Sequence, residues 1–336
     1  MTNVGNGGEA ETTADHEVSP VVRKAVCPTQ VGSMLDRFRL DEVLGHGVFS
    51  TVFKAFDTTL DLPVVVKVLG KNASVDAIER FRREIVFSRR LAHPGFSRIF
   101  EFHEVQAGEV PSEDAADGAR LRYLTMEFIE GRTLGDLMNE GPMPERRALT
   151  IARDLCDIVA VAHEQGVVHG DLKPSNIMMR SGVRRKLTGR LQEPRDELVV
   201  LDFGAASAVD LAHAGVRVGS VRYMAPELFG AEGTSRQTDV WAVGVVLYGC
   251  LTGRLPFDGS GDRAVAEATR RSPPMAPSSA STRISPLVDE VVLHALKRSR
   301  SERYLDCREF RNELDALLLK LRAPSLWHRL WRVVKS

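Results

Sequence analysis

The sequence is poor in cysteine, shows no excess of either charge and contains no long apolar run. Its four cysteines are far apart among 336 residues and form no C-x-x-C spacing, which argues against a disulfide framework or a zinc site. The 45 basic residues are balanced by 45 acidic ones, so no overall electric field favours nucleic acid or an anionic membrane as the main partner. This composition suits a reducing compartment.

The longest apolar run, Val240 to Leu251, is interrupted by two glycines and is too short to span a bilayer. Met1 to Pro20 is polar and acidic and lacks the apolar core of a signal peptide. We therefore expect a soluble, cytoplasmic protein that is long enough to bury a large core.

Hydrophobic periodicity predicts that strands come first and helices follow. Residues 1–33 are polar and predict a disordered segment, with structure beginning near Phe38. Phe38–Leu40 and Glu42–Leu44 together predict one strand, and further strands are predicted at Thr51–Phe56, Val64–Leu69 and Leu198–Leu201. Helices are predicted at Asp76–Leu91, Pro144–Ala162, Asp239–Leu251, Arg263–Arg270, Leu287–Leu296 and Leu305–Leu321. The acidic residues 104–120, the basic residues 180–197 and residues 272–285 are predicted as loops. This order indicates a sheet-rich lobe and a helical lobe.

A glycine turn joins the first two predicted strands. Its sequence is Gly45-His46-Gly47-Val48, and Ser50 follows where a third glycine is usual in phosphate-binding turns. Glycines let the backbone approach a phosphate closely and direct N–H groups towards it. Alone the turn is weak evidence, because glycine turns between strands are common.

Lys67 follows apolar residues on a predicted strand, and Glu84 lies in the middle of the next predicted helix. A lysine on an edge strand commonly points into solvent. A strand lysine that binds phosphates and is held by a helix glutamate is the alternative, and the presence of Glu84 favours it.

Four polar residues follow in a fixed order: Asp171, Lys173, Asn176 and Asp202. They stand in His-Gly-Asp-Leu-Lys-Pro-Ser-Asn and, further on, in Asp-Phe-Gly. A phosphoryl transfer from ATP to a hydroxyl needs a carboxylate for the proton, a cation for the phosphoryl group, and an amide and a carboxylate for Mg²⁺. Each residue alone is unremarkable, but the set in this order is specific.

Together with Ala225-Pro226-Glu227 and Asp239-Val-Trp-Ala-Val-Gly, these motifs resemble the eukaryotic-type protein serine/threonine kinases, most closely the bacterial ones. The resemblance covers residues 36–320. It implies an α+β fold of two lobes: a small β-rich lobe with one helix, about 36–130, and a larger helical lobe, about 131–320. It also implies that Glu227 pairs with Arg303 and that Asp239 binds the backbone of the catalytic loop.

The resemblance implies roles for individual residues. Asp171 would orient and deprotonate a serine or threonine hydroxyl of a protein substrate, and Lys173 would steady the γ-phosphate of ATP. Asn176 and Asp202 would ligate Mg²⁺, and Lys67, paired with Glu84, would hold the α/β-phosphates. The glycine turn Gly45, His46, Gly47 and Val48 would cover the phosphates, and Val52, Val65 and Met178 would sandwich the adenine. Met126 would be the gatekeeper residue, and the backbone of Glu127 and Ile129 in the hinge would hydrogen-bond the adenine edge.

Gly170 departs from the pattern, because most protein kinases have arginine before the catalytic aspartate. His-Gly-Asp also occurs in phosphotransferases that act on small molecules. Those enzymes typically lack a residue equivalent to Lys173 and the Ala225-Pro226-Glu227 platform, so the protein kinase interpretation is favoured. Lys173 and Ser220 also favour serine or threonine over tyrosine as the acceptor.

The missing arginine normally binds a phosphate on the activation loop. Between Gly204 and Ala225 only Ser207, Ser220 and Tyr223 carry a hydroxyl group. The phosphate acceptor and its arginine are thus absent together, which predicts a non-RD kinase that is not switched by loop phosphorylation. A pseudokinase scaffold is the rival from another class, although no catalytic group is missing.

The last residues, 321–336, form a basic, amphipathic tail. Leu326, Trp327, Leu330, Trp331 and Val334 share one helical face. Such a face can lie in a membrane interface, pack against the large lobe or dock on a partner, and the sequence leaves these alternatives open.

Overall fold

The computed structural model of the chain describes residues 30–47, 50–70, 73–106, 120–183, 186–187, 190–191, 195–202, 207–208, 221–230 and 232–321. These residues form a small lobe built on an antiparallel sheet and a larger lobe built mainly from helices. The predicted α+β, two-lobed fold is therefore confirmed.

The small lobe contains a six-stranded sheet in the order β1-β2-β3-β4-β6-β5. Its strands are β1 Met34–Leu35, β2 Phe38–His46, β3 Ser50–Asp57, β4 Leu62–Leu69, β5 Ile99–Gln106 and β6 Arg120–Glu127. Side chains along β3 alternate between buried and partly exposed positions, as expected for a strand with one face on the core. In β4 the six residues Val64–Leu69 are all buried, so Lys67 is enclosed rather than solvated.

One helix, α1 Val75–Arg90, packs against this sheet. Ser74 caps it, since its hydroxyl accepts a hydrogen bond from the Ala77 N–H. Phe81 lies on the buried face of α1 and makes an edge contact with Phe102 of β5. This apolar face fixes the side of α1 from which Glu84 points inward.

The large lobe is built around α4, in which every residue from Thr238 to Leu251 is buried. Its helices are α2 Leu134–Asn139, α3 Glu145–Glu164, α4 Arg236–Thr252, α5 Asp262–Arg271, α6 Pro277–Ala280, α7 Pro286–Ala295 and α8 Cys307–Lys320. Two glycines interrupt the apolar run of α4 because neighbours approach closely: a Cβ at Gly244 would lie 2.9 Å from Ala295 Cβ, and one at Gly249 would lie 2.5 Å from Met138 Cε. Helices all around α4 thus explain a run that is apolar on every side.

The large lobe also contains short strands. They are β7 Gly131–Thr133, β8 Val167–Val168, β9 Ile177–Val183, β10 Lys186–Leu187, β11 Arg190–Leu191, β12 Arg195–Val200 and β13 Ser207–Ala208. β9 is the middle strand of a three-stranded sheet between β12 and β7, and β8 pairs with β13. Of the residues predicted to carry chemistry, Asp171, Lys173 and Asn176 lie between β8 and β9, and Asp202 follows β12.

Some of the predicted boundaries were wrong. Structure begins with β1 before Phe38, and the predicted loop 272–285 contains the short helix α6. The predicted loop 180–197 includes the end of β9 and the start of β12, and residues 104–106 and 120 belong to strands. The many basic residues of 180–197 predicted a solvated loop. Strands form there nevertheless, because β9 and β12 pair through backbone hydrogen bonds, which do not depend on side-chain charge.

Other predictions lie outside the described residues. These are the disordered segment up to residue 29, the centre of the acidic loop, most of the activation loop and the tail from residue 322. Three of the four cysteines are described and are buried thiols, and burial raises the pKa of Cys250 to about 12. Among the described residues no helix is both long and apolar enough to cross a membrane.

Candidate active site

Lys67 connects the two lobes. Its Nζ lies 2.9 and 2.8 Å from the two carboxylate oxygens of Glu84 on α1, and 3.2 Å from Oδ1 of Asp202 in the large lobe. Glu84 is 2% exposed. The predicted Lys67–Glu84 pair is thus present, and the interpretation of Lys67 as a solvent-facing lysine is wrong.

Burial alone would lower the pKa of the Lys67 ammonium, but the carboxylates of Asp202 and Glu84 outweigh it and raise that pKa above its usual value. Lys67 is therefore fully charged at neutral pH. A permanent cation at the meeting point of the lobes is suited to binding a phosphate oxygen.

The loop after β8 carries the carboxylate, ammonium and amide in one turn. Lys173 Nζ donates to Asp171 Oδ2 at 2.7 Å, and Asn176 Nδ2 donates to the Asp171 carbonyl at 3.0 Å. Only 9% of the Asp171 side chain is exposed. The loop thus presents a carboxylate with a cation beside it and a fixed backbone behind it.

His169 orients this loop through both of its ring nitrogens. Its Nδ1 accepts from the Asp171 N–H at 3.3 Å, so Nε2 carries the proton and donates to the Leu201 carbonyl at 3.1 Å. Leu201 in turn donates its N–H to the Asn176 carbonyl at 2.8 Å. These bonds join the loop to the residue before Asp202.

Asp239, on the buried helix α4, anchors the backbone of the loop as predicted. Its Oδ2 accepts from the His169 N–H and its Oδ1 from the Gly170 N–H, both at 2.9 Å. His163 Nε2 lies 2.9 Å from Oδ2. Burial would raise the pKa of Asp239, but the hydrogen bond from His163 and the neighbouring donors lower it below its usual range. Asp239 is therefore an ionised acceptor deep in the core.

Gly170 adopts φ +74°, in the left-handed region. Two successive N–H groups that converge on one carboxylate require such a turn of the chain, and glycine adopts it without steric cost. Glycine in place of the usual arginine therefore removes a charged side chain and also lets the backbone adopt this left-handed conformation without strain.

Replacing Gly170 with arginine is expected to lower the free energy of unfolding by about 1–2 kcal/mol, because a Cβ is disfavoured at positive φ. Urea denaturation of the purified variant measures this change. The matched control is Gly166→Arg, since Gly166 has nearly the same φ, +72°, and open space around it, and its N–H donates to the His163 carbonyl rather than to Asp239. If strain alone matters, both variants lose similar stability; a larger loss at Gly170 shows that the Asp239 bonds are also disturbed.

The residues predicted to sandwich adenine come from both lobes. Val52 on β3, Val65 on β4 and Met126 on β6 belong to one apolar cluster, and Val65 is the direct neighbour of Met126 across the sheet. Met178 lies on β9, in the large lobe, and is partly buried. In the hinge the Glu127 N–H donates to the Arg98 carbonyl at 2.9 Å, so of the Glu127 backbone groups only the carbonyl could bind a ligand.

The glycine turn closes on itself, since the Gly47 N–H donates to the Ser50 carbonyl at 2.7 Å. Gly45 and exposed His46 end β2, and His46 Nδ1 lies 3.4 Å from Thr51 Oγ1. Ser50 thus contributes its carbonyl to the turn where the usual third glycine would stand. Val48 lies outside the described residues, as do Phe203 and Gly204.

The residues predicted to hold Mg²⁺ fit that ion. Asn176 uses its Nδ2 on the Asp171 carbonyl, which directs its side-chain oxygen the other way, and Asp202 offers a carboxylate that is 41% exposed. Asp202 adopts φ +58°, a strained value for this residue of the kind found at functional sites. No cluster of three or more metal-binding side chains occurs in the described part of the chain. One carboxylate and one amide suit Mg²⁺, which usually keeps water and substrate phosphates as its other ligands.

The sequence did not indicate two contacts of the site. His163 lies just after the predicted helix Pro144–Ala162 and was assigned no role, yet its ring binds Asp239, 76 residues away. Arg180 on β9 pairs with Glu127 of the hinge at 2.5 Å and ties the hinge to the large lobe. Both contacts are long-range, and a single sequence carries no local signal for them.

Comparison with known proteins agrees with this geometry. The family model described as a protein kinase domain matches residues 38–312. The chain belongs to the protein kinase family. Among similar proteins, the serine/threonine-protein kinase PksC of Streptomyces coelicolor is 33% identical over 289 residues, which are 82% of this chain and 48% of PksC.

Two further relatives of this kinase-family chain carry the name PknB. The serine/threonine-protein kinase PknB of Mycolicibacterium smegmatis is 33% identical over 83% of this chain and 42% of the relative. PknB of Mycobacterium tuberculosis is 32% identical over 85% of this chain and 44% of the relative. The chain thus spans less than half the length of each relative, and the resemblance to bacterial members of the family is confirmed.

Proposed function

We propose that this chain is an ATP- and Mg²⁺-dependent protein serine/threonine kinase. The observation that carries the proposal is the position of Lys67, whose Nζ is 3.2 Å from Asp202 Oδ1 although the two residues belong to different lobes. Leu201, next to Asp202, is bonded to His169 and to Asn176. Cation, carboxylates and amide therefore surround one cleft, as a phosphoryl transfer requires.

In this proposal Asp171 orients the acceptor hydroxyl of a serine or threonine and receives its proton as the oxygen bonds to the γ-phosphorus. The bond from γ-phosphorus to the bridging oxygen breaks at the same time, and ADP leaves. Lys173, which lies on the Asp171 carboxylate, neutralises charge on the transferred group. Lys67, held by Glu84, binds the α/β-phosphates.

Asn176 and Asp202 would hold Mg²⁺, which when bound neutralises the phosphate oxygens. Val52, Val65, Met126 and Met178 would enclose the adenine. The Glu127 carbonyl and the Ile129 N–H would bond its edge, and the turn around Gly45, His46, Gly47 and Val48 would cover the phosphates.

The test is transfer of labelled γ-phosphate from ATP to a serine-rich acceptor protein, followed by phosphoamino-acid analysis. Lys67→Met is expected to lower kcat/KM for ATP by about 10- to 100-fold, because charge-assisted hydrogen bonds to phosphate are lost. Lys54→Met is the matched control, since Lys54 lies on the neighbouring strand β3 with its Nζ over the Phe128 ring. Label on small alcohols alone would support a small-molecule phosphotransferase, and wild type no faster than Lys67→Met would support a pseudokinase.

We further propose that activity does not require phosphorylation of the activation loop. The catalytic loop has Gly170 in place of the usual phosphate-binding arginine, and the activation loop has no hydroxyl residue from Ala208 to Gly219. Treatment of the active protein with a phosphatase is expected to leave the rate unchanged. Stoichiometric phosphate mapped to residues 205–224, with activity lost when it is removed, contradicts the proposal.

A further inference from the structure

A cavity of about 480 Å³ opens in the large lobe, and none of the candidate catalytic residues lines it. The turn at Pro226, the end of α5 and the loop before α8 form its walls. We call it the arginine pocket, because Arg270, Arg298 and Arg300 line it together with Ser299, Ser301 and Glu232.

The arginine pocket has an excess of positive charge. Arg300 pairs with Glu232, and the carboxylate of Glu227 at the pocket wall is bonded through both oxygens to buried Arg303. Arg270 and Arg298 have no carboxylate partner among the described residues that surround them. Two uncompensated guanidinium groups therefore face one cavity.

The floor of the pocket is fixed before any ligand arrives. Arg303 donates to the carbonyls of Lys297 and Arg298, at 2.7 and 2.9 Å, and so holds the loop on the buried Glu227–Arg303 pair. Arg298 Nη2 donates to the Arg271 carbonyl at 2.6 Å, which joins the loop to the end of α5. Preorganised donors bind an anion without a large cost of ordering.

We propose that the arginine pocket binds the phosphate group of a phosphoserine or phosphothreonine in a protein partner. A phosphate ester carries close to two negative charges at neutral pH and three acceptor oxygens. Two guanidinium groups match both charges, and the Ser299 and Ser301 hydroxyls, 2.9 Å apart, supply donors for the remaining oxygen. A carboxylate has only one charge and two oxygens, so it would leave some of these guanidinium and hydroxyl donors without an acceptor.

The position of the arginine pocket beside the substrate platform indicates a role in substrate selection, an inference that rests on the proposed kinase function. Pro226 and Glu227 line the pocket and directly follow Val221–Ala225, the end of the segment that shapes the substrate platform. A protein already phosphorylated at one site, and held at the pocket, would present a second hydroxyl near the platform. The pocket thus selects substrates that carry an earlier phosphate.

The test is direct binding, with the full chain carrying Asp171→Asn so that no phosphate is transferred. A degenerate peptide library with a fixed central phosphoserine is compared with libraries that have serine or glutamate there. A captured phosphopeptide is then titrated by fluorescence anisotropy against Arg270→Ala/Arg298→Ala. The control is Arg263→Ala, since Arg263 is exposed on the same helix, α5, and does not line the pocket.

The double variant is expected to bind the phosphopeptide about 10- to 100-fold more weakly, and the control to bind it unchanged. Arg298→Lys keeps the charge but loses the planar fork, so an intermediate loss is expected even if the double variant is poorly folded. Equal loss in Arg263→Ala, equal affinity for the glutamate library or no saturable binding overturns the proposal. Because no turnover is measured, these outcomes do not depend on whether the wild type proves to be an active kinase.

Discussion

Replacing Asp171 with asparagine is expected to lower the rate of phosphoryl transfer by about 10²- to 10⁴-fold, because the amide cannot take up the hydroxyl proton. The two side chains are nearly the same size, and the Asp171 backbone bonds to His169 and Asn176 do not depend on the carboxylate. The fold should therefore be retained. Initial rates at saturating ATP measure the change.

Nucleotide affinity separates this effect from a loss of binding. Lys67, Glu84 and Asp202 keep their contacts in the Asp171→Asn variant, so ATP should bind as in the wild type. Asp41→Asn, which removes an exposed carboxylate that pairs with Arg39 on β2, is the matched control. A variant that keeps the wild-type rate excludes Asp171 as the proton acceptor. A variant that loses ATP affinity instead of rate assigns the carboxylate a binding role.

Replacing Arg303 with methionine is expected to lower the free energy of unfolding by about 3–5 kcal/mol, because it leaves the buried carboxylate of Glu227 without a positive partner. The Arg303 side chain is fully buried, and its five N–H groups all have acceptors: both oxygens of Glu227 and the carbonyls of Gln237, Lys297 and Arg298. Its guanidinium also lies 4.8 Å from the Trp241 ring centroid. Few side chains combine so many contacts, so the loss should be large.

Two further variants show whether the loss of stability comes from the unpaired buried charge. Arg222→Met removes an ion pair with Asp258, which is 85% exposed, and should cost about 1 kcal/mol or less. Glu227→Leu/Arg303→Met removes both charges and should be more stable than Arg303→Met alone, since no ion is left buried without a partner. Urea denaturation measures all three. If the double variant is as unstable as the single one, the bonds to the backbone carbonyls matter more than the ion pair.

Much of the site was predictable because its residues lie in short motifs. Lys67 follows a run of valines that predicts a strand, and Asp171, Lys173 and Asn176 share one turn, so their proximity follows from their spacing. Glu227–Arg303 and Asp239 with the loop backbone were predicted from family resemblance and are confirmed by the distances.

The rest depends on contacts that a single sequence does not encode locally. His163 reads as one more buried residue of α3, and only the packing of α3 on α4 brings its ring to Asp239. The positive φ of Gly170 follows from the two bonds to Asp239 rather than from its neighbours in the chain. The arginines of the pocket come from separate elements and show no motif.

Because Asp239 binds the N–H groups of His169 and Gly170, we expect the catalytic loop to be among the last parts of the molecule to open. The two amides are held by a carboxylate on α4, whose central residues are all buried. Such amides exchange with solvent only when the surrounding core unfolds, whereas Lys67 belongs to a separate sheet with its own smaller core. We therefore expect the two halves of the site to belong to different cooperative units, so that the lobe that carries Lys67 can open while the loop that carries Asp171 stays folded.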